Sequence, residues 1–111
     1  LYERVIKSSL KLKRNDNIMF VVVGATNEEN YDNIRKIAPD NFLLVPGVGA
    51  QGGNLETVSN KLINKDCGIL INSSRSIIYS GTDKDFAKCA RESAKALQND
   101  MQKILKNNSI I

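Results

Sequence analysis

The stretch that most constrains this chain is Phe42-Leu-Leu-Val-Pro-Gly-Val-Gly-Ala-Gln-Gly-Gly-Asn54. Four apolar residues, Phe42 to Val45, run directly into Pro46, and Gly47, Gly49, Gly52 and Gly53 follow within seven positions. An uninterrupted apolar run of this length reads as a strand of a parallel sheet, buried on both faces. The glycines let the backbone turn sharply and bring its N–H groups close to a ligand. A buried strand that empties into such a loop commonly holds a phosphate. The competing reading is a glycine-rich connection that binds nothing.

The rest of the chain repeats the same rhythm. Tyr2, Val5, Ile6, Ser9 and Leu10 share one face of an amphipathic helix over residues 1–12. Met19 to Val23 is an apolar, Val-rich first strand that ends in Gly24-Ala25-Thr26-Asn27. Asn27 suits the N-cap of a second helix, and Glu28 and Glu29 suit its positive end; Pro39 closes it after Ala38. Leu55, Val58 and Leu62 mark a short third helix, and Gly68 to Ile71 a third strand with Cys67 at its start. That strand opens into Asn72-Ser-Ser-Arg-Ser76, with a short turn or helix around Ile77 to Tyr79. Thr82 or Asp83 can cap a last helix carrying Phe86, Ala90, Ala94, Leu97, Met101, Ile104 and Leu105 on one face.

Helix–strand alternation with strands starting roughly 25 residues apart predicts an α/β fold with a parallel sheet. Doubly wound sheets and (β/α)8 barrels share this local pattern. A barrel needs about 250 residues, so the 111 residues here correspond to less than half of one. In a barrel the loops after the strands meet at one rim, where active sites lie. Those loops are Gly24–Asn27, Pro46–Gly53 and Asn72–Ser76. Arg75 stands directly after a strand and beside the glycine loop. Its guanidinium can grip a phosphate with two N–H groups at once; the alternative is a surface salt bridge.

Composition removes several classes of function. The chain has no His, which excludes His-ligated zinc and His-based triads built from its own residues. The net charge of +4 is mild and spread out, and only three Tyr and three Phe could stack on bases. The basic face of the last helix, Lys84, Lys88, Arg91, Lys95 and Lys103, therefore reads as solvated surface, with no nucleic-acid partner expected. No apolar run approaches the roughly 20 residues needed to cross a bilayer, so no membrane partner is expected. Cys67 and Cys89 read as buried, reduced thiols, which suits a cytoplasmic protein. The first residue is Leu1 and no signal-peptide pattern follows, which fits a cleaved, trimmed or truncated product.

Leu44–Gly53 (LVPGVGAQGG), Val22–Asn27 (VVGATN) and Ile71–Tyr79 (INSSRSIIY) together resemble the C-terminal part of orotidine 5′-phosphate decarboxylases, in the branch with a Ser-Ser-Arg segment after the last strand. The resemblance covers nearly the whole chain. The glycine run is highly specific, and the other two motifs support it. It implies that residues 1–111 are about three βα units from the C-terminal part of one (β/α)8 TIM barrel. The family is usually dimeric and converts orotidine 5′-phosphate to UMP without metal or organic cofactor. By the resemblance, Gln51 bridges phosphate and pyrimidine, Arg75 holds the phosphate, and Pro46 and Val48 line the pyrimidine pocket. Backbone amides near Gly53, Ser74 and Arg75 complete the phosphate cradle. Relatives often carry Gly where this chain has Ser74.

The family's chemistry is done by an Asp-x-Lys-x-x-Asp segment on an earlier strand and by another Lys. That pattern is absent here: Asp83-Lys84-Asp85 and Asp100-Met-Gln-Lys103 have the wrong spacing. The expectation is a chain with no catalytic residue of its own, whose partners are orotidine 5′-phosphate or UMP, the N-terminal part of the same barrel and a second copy in a homodimer. Two alternatives compete. One is another phosphosugar barrel, such as an indole-glycerol-phosphate or hexulose-phosphate enzyme, which lacks the Ala-Gln-Gly-Gly run. The other is a non-catalytic phosphate- or nucleotide-binding module.

Overall fold

The computed structural model describes residues 1–12, 21–49 and 52–111. Met19 and Phe20, assigned above to the first strand, and Gln51 lie outside the described residues. The elements run in chain order: α1 (Tyr2–Lys11), β1 (Val21–Val22), a 3-10 turn (Glu28–Asn30), α2 (Tyr31–Ile37), β2 (Leu43–Pro46), α3 (Leu55–Leu62), β3 (Ile69–Asn72), α4 (Arg75–Ile78) and α5 (Phe86–Asn107). The strands form one parallel sheet in the order β1-β2-β3. Val21, Leu43 and Ile69 stand side by side across it, and Val22, Leu44 and Leu70 form the next row.

Because successive side chains of a strand point to opposite faces, these rows separate the two sides of the sheet. Leu43, Val45, Ile69 and Val23 are buried, and they join Ile6, Tyr31, Ile34, Val58 and Leu62 in one core. The helices thus cover one face. On the other, Val22 is 66% and Leu70 44% exposed. A doubly wound sheet would carry helices on both faces; a barrel carries them on the outside only. The arrangement follows the barrel pattern, and the open row corresponds to a barrel interior.

Local chemistry explains several departures from expectation. β2 and β3 each sit one residue later than the sequence reading. Pro46 can close β2 because its carbonyl does the work, accepting from Ala25 N–H at 3.0 Å, while its missing N–H is tolerated at a strand end. Cys67 is not in the strand. It occupies a tight turn with φ of 72°, exchanging backbone hydrogen bonds with Asn64 at 3.1 Å in both directions. Asn27 precedes the 3-10 turn but makes no side-chain cap, so the α-helix proper starts at Tyr31. Neither Thr82 nor Asp83 caps α5; the N-cap position is Asp85, again without a side-chain cap. Asn54 does cap α3, accepting from Thr57 N–H at 2.9 Å.

The apolar faces of the outer helices are only partly used. Ile6 is the buried residue of α1 and Ile104 that of α5, while Phe86 is 60% exposed. Cys67 and Cys89 are half-buried and unlinked. Among the described residues no helix is long and apolar enough to cross a membrane.

Arg35 fastens the N-terminal end of the sheet. Its guanidinium donates to the carbonyls of Ala38 and Asn41 at 2.9 Å, of Gly68 at 3.1 Å and of Leu62. One side chain thereby gathers the end of α2, the end of α3 and the entry to β3. Burial pulls the Arg35 pKa below its ordinary value, and Asp40 opposes that shift.

Candidate functional site

All three strands are parallel, so their C-terminal ends meet at one rim, and the loops expected to carry chemistry meet with them. The glycine loop folds back on itself. Val48 and Gly53 pair as a short parallel bridge, and Gly49 N–H donates to Gly53 O at 3.0 Å. Gly47 takes φ of 90°, a left-handed conformation that a side chain would strain. Gly53 is needed for a different reason. A Cβ there would lie 2.4 Å from Ala25 Cβ, so a side chain would force the loop off the end of β1. On the other side of that contact, the buried Tyr31 donates its hydroxyl to Gly24 O at 3.1 Å and fixes the first rim loop.

A cavity of about 210 Å³ opens between the ends of β2 and β3, lined by Pro46, Gly47 and Val48 from one loop and by Asn72, Ser73, Ser74 and Arg75 from the next. Four of the six site residues expected from the sequence, Pro46, Val48, Ser74 and Arg75, therefore share one small cavity. Gly53 is not part of its lining. Its N–H donates to Gly47 O at 3.3 Å, inside the loop's own turn. Gln51 lies outside the described residues.

Arg75 is exposed, and no ion pair involves it among the described residues; Lys103 and Asp100 pair at 3.5 Å elsewhere. The salt-bridge alternative for Arg75 thus finds no partner among them. Ser74 precedes α4 and Arg75 begins it, so their N–H groups have no intrahelical acceptor and are available to an anion. The Ser74 hydroxyl turns to Asn72 Oδ1 at 2.9 Å. The cavity thus presents backbone donors and a guanidinium on one wall and the apolar Pro46 and Val48 on the other. That arrangement can hold a ligand with an anionic end and a less polar end.

A larger cavity, of about 900 Å³, lies between α1 and the edge strand β1, with Val5, Ile6, Leu12, Val21 and Val22 in its wall. Its described side chains carry no charge, so it is read as an open packing surface and not as a place for chemistry.

Sequence reasoning missed Tyr31, Arg35 and Asn54. Asn54 was legible as a polar cap before an apolar helix. Tyr31 and Arg35 were not, because their roles depend on carbonyls at least three and as many as 33 residues away.

A parallel sheet with helices on one face, and with the loops after its strands gathered at one rim, matches a piece of a (β/α)8-barrel protein. No family model matches the chain. It is 52% identical over 101 residues to an orotidine 5′-phosphate decarboxylase of Christiangramia forsetii, a match covering 91% of this chain and 37% of that protein. To the orotidine 5′-phosphate decarboxylase of Parabacteroides distasonis it is 50% identical over 111 residues, all of this chain and 39% of that protein. Among solved structures, a Plasmodium yoelii protein described as an orotidine-monophosphate decarboxylase superposes with a TM-score of 0.69 at 31% identity, over 93% of this chain and 30% of that one. The chain is homologous to the C-terminal portion of orotidine 5′-phosphate decarboxylases, and it spans about two-fifths of the length of the curated relatives it matches.

Proposed function

We propose that residues 1–111 form the C-terminal segment of a single (β/α)8 barrel and supply the phosphate- and pyrimidine-binding side of an orotidine 5′-phosphate decarboxylase active site. The assembled enzyme converts orotidine 5′-phosphate to UMP and CO₂. In this reading Arg75 grips the phosphate, helped by the amides of Ser74 and Arg75; the Gly53 amide expected beside them donates instead to Gly47 O. Pro46 and Val48 line the ring, and Gln51 reaches both ends of the ligand. The observation that carries the reading is the shared cavity of Pro46, Val48, Ser74 and Arg75 at the sheet's C-terminal rim, with the guanidinium unpaired among the described residues.

The division of labour is physical. Phosphate contacts far from the reacting carbon supply binding energy that closes loops and orients the ring. Loss of CO₂ leaves a carbanion-like carbon that needs a proton from a positioned acid. The family's Lys for that step has no counterpart in residues 1–111, so it must come from the remainder of the barrel. On the same family resemblance the completed enzyme is read as a cytoplasmic homodimer.

Arg75→Ala in a complete barrel tests the reading. It should weaken binding of the phosphorylated substrate by about 1.5–3 kcal/mol, the range for a charged hydrogen bond, and cost orotidine, which has no phosphate, much less. Equal losses on both substrates would sink the assignment.

A further inference from the structure

The β2–β3 ladder ends at the pair Pro46 and Asn72, and beyond it the two site-lining loops are joined by a side chain. Ser73 Oγ donates to Val48 O at 3.4 Å and is in short contact with Ser76 Oγ. A hydroxyl has one proton to give. With Ser73 donating to Val48, the Ser76 hydroxyl must donate to Ser73, which sets one direction along the chain Ser76, Ser73, Val48. Ser76 is itself held from α5, where Ser93 Oγ donates to Ser76 O at 3.0 Å. Gly49 lies against the same point: a Cβ there would sit 3.7 Å from Ser76 Oγ. Ser73 and Val48 also line a second cavity of about 350 Å³, between the loops and α5, so their contact is the partition between it and the candidate site.

We propose that Ser73 is a positioning residue whose hydroxyl holds the glycine loop at a fixed distance from the Ser-Ser-Arg loop. Ser73 lines the cavity, but its hydroxyl is engaged by Val48 O and the Ser76 hydroxyl. It sets the spacing between the donors that take an anion, on the β3 side, and the Pro46–Val48 wall, on the β2 side. A ligand that spans both walls needs that spacing held before it binds; a ligand reaching only one wall does not. The inference rests on the phosphate reading of Arg75.

The test compares Ser73→Ala, Ser73→Thr and Arg75→Ala in a complete barrel, measuring kcat and KM for orotidine 5′-phosphate and kcat/KM for orotidine. Loss of one neutral hydrogen bond predicts that Ser73→Ala raises KM for the phosphorylated substrate about three- to tenfold. Orotidine should be turned over nearly as before, and Ser73→Thr, which keeps the hydroxyl, should restore KM. Equal losses on both substrates for Ser73→Ala, with Arg75→Ala still selective, would overturn the role of Ser73 and leave the phosphate reading standing. Equal losses for Arg75→Ala would remove the phosphate reading and this inference with it. Should Ser73→Ala not fold, Ser73→Cys replaces the hydroxyl that donates to Val48 O with a weak thiol donor of similar size, and an unchanged KM in that variant overturns the proposal.

Discussion

Tyr31 reaches the core from the first turn of α2 and donates its hydroxyl to Gly24 O, at the end of β1. Burial, with Glu28 and Glu29 adding to it, holds its pKa above the ordinary value of 10.0. The folded state therefore keeps the phenol proton more tightly than the unfolded state. The stabilisation is fully present below the unfolded pKa and is lost as pH rises through the folded one. Denaturant midpoints of a complete barrel should fall more steeply above about pH 10 for the parent than for Tyr31→Phe, which has no proton to lose. Parallel curves would show that the phenol is not linked to folding. At neutral pH the same variant should lose about 1 kcal/mol, the net worth of one hydrogen bond. Arg35 makes a stronger demand. Lys keeps the charge but cannot reach carbonyls of three segments from one planar fork. Arg35→Lys should cost about 2–3 kcal/mol by denaturation, most of it from carbonyls left without a charged donor; a loss below about 0.5 kcal/mol, the level of an ordinary surface change, would mean that the fork is replaceable.

At the level of elements, the glycine loop depends on its contact with the end of β1. Gly53→Ala would place a methyl 2.4 Å from Ala25 Cβ, so the loop or the strand end must shift. Overpacking of this kind costs about 1–3 kcal/mol, and binding of the phosphorylated ligand should weaken along with the melting temperature. A lowered melting temperature with unchanged binding would separate the contact from the site. Much of this architecture was readable beforehand, since Leu43–Val45 and Ile69–Ile71 announce buried strands and the loops after them follow by chain order. The single-residue shift of β2 was not readable, because it depends on Ala25 choosing the Pro46 carbonyl. The caps expected at Asn27 and Thr82 or Asp83 failed for a related reason. A good capping residue is only a candidate until the backbone brings an N–H within reach. Of the candidate site, the place of Arg75 at the rim was legible from its position after a strand, whereas the contact of Ser73 with Val48 depends on a carbonyl 25 residues away.

As a whole molecule, residues 1–111 present one finished face and one open one. Val22 and Leu70 stand on the helix-free side of a sheet whose outer strands, β1 and β3, have no further partner among the described residues. Exposed edges and apolar strands of this kind favour association. The chain by itself should aggregate or bind a segment that completes the barrel. Combination with the N-terminal part of a relative, such as the Parabacteroides distasonis enzyme that is 50% identical over this region, should cover both. The measurement that bears most directly on the division of labour is CO₂ release from orotidine 5′-phosphate by residues 1–111 alone, by the complementary segment alone and by the two together. Neither piece alone should release CO₂, and the pair should, with release abolished or strongly reduced by Arg75→Ala at low substrate. Release by residues 1–111 alone, in a monomeric and cooperatively melting preparation, would contradict it.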